Sequence, residues 1–211
     1  MFKKAASDAL GLSDIGKIIS PADYGQTEAD DFVMSEEGEQ IFFVIKSKSD
    51  EYCFTNLAMI HVDGTTAMSK KRLVKRFDYY QHHIRNVLLE TAGTMDMDVE
   101  IKFQFGDTHY SIDVAKNQIL ELKKLYKALL RIGHLQSDNQ RMMQYANTSI
   151  DKAIASVGRA TMTSSALEQV QGINQYAFEW LQNAYDRYNQ RDFGDIFATF
   201  VKPTAPAEEE D

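Results

Sequence analysis

Five basic side chains within seven residues, Lys70, Lys71, Arg72, Lys75 and Arg76, are the one concentration of positive charge in this chain. Such a cluster can hold a phosphate, a lipid headgroup or an acidic partner. In a strand, however, the pleat sends Arg72, Val74 and Arg76 to one face and Leu73, Lys75, Phe77 and Tyr79 to the other. A charged edge strand, kept from pairing with other chains by its own charges, is the reading these residues favour.

The other groups with chemical potential are few. His61, His82, His83, His109 and His134 form no metal-ligand spacing on a helix, and the neighbours His82 and His83 would point to opposite faces of a strand. Asp96 and Asp98 flank Met97 and read as a hairpin loop. Cys53, the single cysteine, lies between Tyr52 and Phe54 in a strand pattern and reads as a buried core thiol. Gly64, Gly93 and Gly106 are isolated turn glycines, with no phosphate-binding loop. Neither a catalytic set, nor a cofactor site, nor a metal site is expected, and the chain reads as a non-enzyme.

Composition agrees. The 211 residues are 44% hydrophobic and 26% charged, as in an ordinary globular protein with a sizeable core. The net charge is −8, against nucleic acid and, in general, against anionic membrane. No stretch approaches the ~20 apolar residues needed to span a bilayer. The start Met1-Phe2-Lys3-Lys4 leads into residues too polar for a signal-peptide core, so a cytoplasmic location is expected.

The elements that must position these residues show in the periodicity. Val99, Ile101, Phe103 and Phe105 alternate with polar residues and pass through Gly106-Asp107 into Tyr110, Ile112 and Val114, a hairpin with one buried face. Earlier strands are expected over 40–48, 51–56, 57–62 (with a turn at Asp63-Gly64), 72–81 and 83–91, seven in all. A helix over 117–131 follows, with Ile119, Leu122, Tyr126, Leu129 and Leu130 as its apolar stripe. Gly133 is expected to break it. A second helix then spans 137–157, and a capping box at Ser165-Ala166-Leu167-Glu168 opens a third. The fold class is α+β: seven strands, several of them antiparallel, closed by a helix, then a helical hairpin.

Several runs carry a family resemblance: Ser7-Asp8-Ala9-Leu10-Gly11-Leu12, Ile45 through Asn56, Ile60-His61-Val62-Asp63-Gly64, Ser69-Lys70-Lys71-Arg72, Leu89 through Gly93, and Glu100-Ile101-Lys102-Phe103. Residues 1–131, with a helical segment at 1–19, resemble the bacterial pleckstrin-homology-like family. Residues 132–202 resemble the YvbH-type oligomerisation region found in some members, and 203–211 read as an acidic, solvated tail. The resemblance implies a pleckstrin-homology-like barrel or sandwich and homo-oligomers, with no established activity. It does not extend to phosphoinositide binding, since Lys46 and Lys48 are followed by Asp50-Glu51-Tyr52 rather than a basic pair.

Self-association is expected from the residues as well. Residues 132–190 hold 13 Asn and Gln but few charges, unlike a helical face meant only for water. Met142, Phe178, Trp180, Tyr185, Phe193, Phe197 and Phe200 supply more apolar surface than one hairpin seam needs, and they are the candidate oligomer contacts. The function expected is a homo-oligomeric scaffold or binding protein, possible protein partners included. The alternative, less favoured, is a peripheral membrane or anionic headgroup binder.

Overall fold

The computed structural model describes residues 15–64, 72–91, 93, 97–157 and 165–201. Among them, eight strands form two antiparallel sheets. The larger runs in sequence order through β1 (Lys17–Ile18), β2 (Ile41–Lys46), β3 (Asp50–Thr55), β4 (Ala58–Gly64) and β5 (Arg72–Asp78). The smaller is formed by β6 (Ile84–Glu90), β7 (Asp98–Phe105) and β8 (Thr108–Ala115). Seven are the expected strands, and β1 is a two-residue addition. Asp63 and Gly64 stay in β4, paired with Leu73 and Arg72, rather than turning the chain.

The larger sheet has almost no wet face. Ala58, Met59, Ile60, His61 and Val62 of β4 are all buried, so both sides of the strand are covered. One side meets the smaller sheet through packed aromatic rings: Phe54 on Phe103, and Phe77 on Phe105 and Tyr110. The other is covered by residues 21–39, which run as three short 3₁₀ turns, Pro21–Gln26, Glu28–Phe32 and Ser35–Glu37. Beneath this strap Ala29, Val44, Cys53, Ile60 and Val62 form a cluster flanked by Tyr24, Val33 and Val74.

Two buried glutamates fasten the strap. Glu51 accepts the Ala29 N–H at 2.9 Å and the Lys46 ammonium, while Glu39 accepts the Met34 N–H at 2.7 Å, the Thr55 hydroxyl and the Arg76 guanidinium. A carboxylate taken out of water costs several kcal/mol unless such partners meet it, and here backbone donors and cations do so together. The two sheets are joined at a corner by residues 16–18. Gly16 exchanges backbone hydrogen bonds with Asp113 and Ala115 of the smaller sheet, whereas Lys17 and Ile18 pair with β2. A side chain on Gly16 would lie 2.7 Å from Ile45.

Helix α1 (Ile119–Val157) begins where Gln118 both donates to and accepts from the backbone of Ile18. Its buried stripe is Leu122, Leu125, Ala128, Leu129 and Ile132. It runs unbroken for 39 residues, so Gly133 does not end it. The glycine answers to packing instead: a Cβ there would sit 2.7 Å from the carbonyl oxygen of Ile84 in β6. The residue was needed for close approach, and its low helix propensity was outweighed by the turns on either side.

Helix α2 (Ala166–Tyr188) opens on the expected capping box, with the Ser165 hydroxyl and Glu168 carboxylate each meeting the other residue's backbone N–H. Residues 134–190 form one compact unit, and 15–133 with 191–201 form the other. The short helix α3 (Gly194–Val201) therefore belongs to the strand unit, not to the hairpin. Of the helical segment expected at 1–19, residues 17–18 are strand β1 instead, drawn into pairing with β2, and residues 1–14 lie outside the described residues, as do Lys70, Lys71, Asp96 and the acidic tail.

Phe193 and Phe197 account for this return. Both are fully buried: Phe197 stacks on Phe42 with ring centroids 5.4 Å apart, and Phe193 meets Tyr79 edge-on at 5.5 Å. The Phe193 N–H donates to the Asn56 carbonyl, and the Asn56 amide donates to Asp192 at 2.7 Å. These two aromatics were expected at an oligomer contact, and the correction is that their own sheet takes them. Apolar surface at the end of the larger sheet needs a cover, and α3 is at hand to supply it.

Two predictions follow from these packing arrangements. Gly133→Ala gains helix propensity of up to ~1 kcal/mol, yet forces a methyl against backbone, and the net effect expected is a loss of about 1–3 kcal/mol. Gly172→Ala, where a Cβ meets nothing within 4 Å, raises stability instead. Denaturant unfolding of the two variants checks the opposite signs. Phe197→Ala removes a buried ring and costs about 3–5 kcal/mol by the same measurement.

Candidate functional site

The basic cluster is divided by the pleat as expected, and β5 is the edge strand of its sheet. Every described member meets a carboxylate of its own chain. On the strap side, Arg72 makes a two-armed contact with Glu28, Nε to Oε2 at 2.7 Å and Nη2 to Oε1 at 3.2 Å. Arg76 donates to Glu39 at 3.0 Å and Asp78 at 2.8 Å. On the opposite face Lys75 donates to Asp63 at 2.7 Å. The Arg72–Glu28 pair is exposed, and such pairs contribute ~0–1 kcal/mol, so an incoming anion can compete there. Arg76 is held more firmly, because Glu39 is buried and loses its counter-ion if the arginine leaves.

The face of the larger sheet turned to the smaller one carries a second polar group of residues. Asp50 and Asp63 are directly opposite in the β3–β4 register, and His61 lies two residues before Asp63 on the same face. His61 Nε2 donates to Asp50 Oδ1 at 2.9 Å. The imidazole stacks on Tyr52, with centroids 4.5 Å apart, and Tyr110 stands edge-on to it at 5.6 Å. Burial raises the Asp50 carboxyl pKa, but hydrogen bonds from His61 and Ser49 outweigh that and leave it below the usual carboxylate range. Burial, and next the Asp63 carboxylate, push the Tyr110 phenol well up.

Donor atoms of Asp50, His61 and Asp63 all lie within 4.8 Å of one another. Helical spacing and adjacent histidines, the patterns sought in the sequence, do not reveal this group. His-x-Asp on a strand does carry the signal, since residues two apart share a face, but Asp50 comes from the neighbouring strand and needs the register. His82 packs edge-on to Phe77 instead, and Asp98 begins β7.

Cys53 is buried, and burial first, then the Glu39 and Glu51 carboxylates, push its thiol far above the usual range. Such a thiol is not a nucleophile at neutral pH.

The hairpin presents a different surface. Trp180 donates its indole N–H to the Ala146 carbonyl at 3.2 Å, which ties α2 to the second half of α1. Beside it Met142, Tyr145, Ala184 and Tyr188 line a groove of about 430 Å³. On α2, Leu167, Phe178 and Tyr185 are 68%, 67% and 46% exposed. Their spacings of 11 and 7 residues place them on one line along the helix, beside the stripe of packed residues Ala177, Leu181 and Ala184. Of the seven expected contact residues, Met142, Phe178, Trp180 and Tyr185 are exposed, Phe200 is half-buried, and Phe193 and Phe197 are withdrawn.

Comparison with known proteins also separates the strand region from the hairpin, although the second match runs on through α3, which packs on the strand unit. Residues 9–132 match the family described as Bacterial PH domain, and residues 144–202 match the YvbH-like oligomerisation region. The uncharacterized protein YvbH of Bacillus subtilis (strain 168) is 51% identical over 202 residues, covering 95% of this chain and 99% of that protein. A crystal structure of a PH domain containing bacterial protein from Exiguobacterium sibiricum 255-15 shares 45% identity and a TM-score of 0.82, over 90% of this chain and 100% of that one. With a sandwich of this topology, a closing helix and these matches, the chain belongs to the bacterial PH domain family and carries a YvbH-like oligomerisation region behind its PH-like fold.

Proposed function

We propose that this protein is a non-enzymatic, homo-oligomeric scaffold whose helical hairpin supplies the contacts between copies. The observation that carries the reading is the line of exposed apolar side chains, Leu167, Phe178 and Tyr185, beside the packed stripe of the same helix. Isolated exposed residues are common on proteins, but two large aromatics aligned with a leucine mark a surface that is covered in use. Charge supports a second copy as the cover. Residues 134–190 carry four Lys/Arg against five Asp/Glu, while the whole chain is at −8. Copies of an acidic protein repel one another, and the near-neutral hairpin is where they can meet at least cost.

Support for a non-catalytic role comes from the inert Cys53 thiol and from the basic side chains of β5, which meet carboxylates of their own chain. The same ion pairs weigh against an anionic membrane surface as partner, a reading that rests on the Lys70–Arg76 cluster and the N-terminal segment. Among the described residues no helix is long and apolar enough to cross a membrane.

Multi-angle light scattering of the full chain, at tens of micromolar, tests the proposal. A mass above one protomer is expected, and Phe178→Ser combined with Tyr185→Ser lowers it, with circular dichroism showing the helices intact. Loss of two aromatic anchors weakens association by about 2 kcal/mol or more, roughly thirtyfold in the dissociation constant. A monomeric wild type, or a double variant that assembles as the wild type does, overturns the reading.

A further inference from the structure

We propose that Asp50, His61 and Asp63 form a binding site for a divalent transition-metal cation, which displaces the Lys75 ammonium from Asp63. The three donors come from two neighbouring strands, placed by the backbone ladder and not by loops: Asp50 faces Asp63 across the β3–β4 pair, and His61 shares the face of Asp63. Donors bound to one zinc at ~2.0–2.1 Å stand about 3 Å apart, and here His61 Nε2 and Asp50 Oδ1 are 2.9 Å apart, with all three within 4.8 Å. Side-chain adjustments of an ångström or so close the set. An imidazole with two carboxylates is a zinc, cobalt or manganese donor set, and the nitrogen disfavours calcium and magnesium.

Two further observations point to a cation with its water. The Tyr110 hydroxyl, in a residue only 7% exposed, is buried without a hydrogen-bond partner among the described residues. Its ring stands edge-on to His61, with centroids 5.6 Å apart. Buried hydroxyls are satisfied as a rule, and a metal-bound water beside Asp63 would satisfy this one. The cluster also wants positive charge: among the described residues its two carboxylates face one ammonium, that of Lys75, which is 2.7 Å from Asp63 and itself partly exposed. That side chain can swing to solvent when a stronger cation arrives.

Affinity is limited by one feature. When Nε2 binds the metal its proton moves to Nδ1, a buried nitrogen with no acceptor among the described residues. The lack of such a partner lowers metal affinity about 10–100-fold, so micromolar rather than nanomolar binding is expected.

Calorimetric titration of the full-length protein with Zn²⁺ at pH 7.5 tests the site, together with the visible absorption of the Co²⁺ form. One ion per chain at micromolar affinity is expected. Asp63→Asn, close in shape, weakens binding at least tenfold, and Asp50→Asn does the same should the first variant fold poorly. Lys75→Gln, which removes the competing ammonium, tightens binding severalfold, an effect that a surface histidine site would not show. Absence of saturable binding up to about 1 mM, or binding indifferent to the aspartate and lysine changes, overturns the proposal.

Discussion

The larger sheet has no face it can give to water, and much of the molecule follows from that. A strand such as β4, buried on both sides, needs two covering layers. The smaller sheet is one. The other is built from residues 21–39, a segment too irregular to satisfy its own backbone groups by helix or sheet. Glu51 accepts a strap N–H from within the sheet and Glu39 accepts one from the strap's own end, and the cations Lys46 and Arg76 offset the charge thus buried. Arg76, a member of the sequence's basic cluster, is therefore structural. The same demand for cover explains why Phe193 and Phe197 return to the sheet after an excursion of 57 residues.

What could be read in the sequence was whatever rests on local periodicity. The β7–β8 hairpin alternates cleanly because only one of its faces is buried, and the capping box before α2 is a contact between residues three apart. The order of strands followed by a helix was legible for the same reason, and runs such as Ile60 through Gly64 carried the resemblance to the bacterial PH-like family. Distance along the chain hid the rest. Gly133 looked like a helix end because propensity is a local quantity, whereas its reason is a carbonyl on β6, 49 positions earlier. The strap shows no periodicity at all, since 3₁₀ turns three to six residues long leave none to see.

The polar group around His61 was hidden by register rather than by distance. Its members come from consecutive strands, and a slip of one residue between them would put Asp50 on the strap side, away from both partners. Hydrophobic burial on the two faces forbids that slip, so apolar residues such as Phe54 and Ile60 hold the carboxylates and the imidazole together. Packing alone has brought together groups that no spacing in the chain announces.

The hairpin leaves the strand unit through an unbroken helix and comes back through a docked one, so it is an insertion held at both ends rather than a tail. Domain swapping, in which protomers trade an identical arm, is a low-cost route to a dimer when the arm ends freely. Here a traded arm would have to draw Phe193 and Phe197 out of their seat against Tyr79 and Phe42 and undo the hydrogen bonds to Asn56. Exchange of that kind demands partial unfolding of the strand unit itself. Copies that combine through the hairpin are left with contact between finished surfaces, a union that concentration alone can make and unmake.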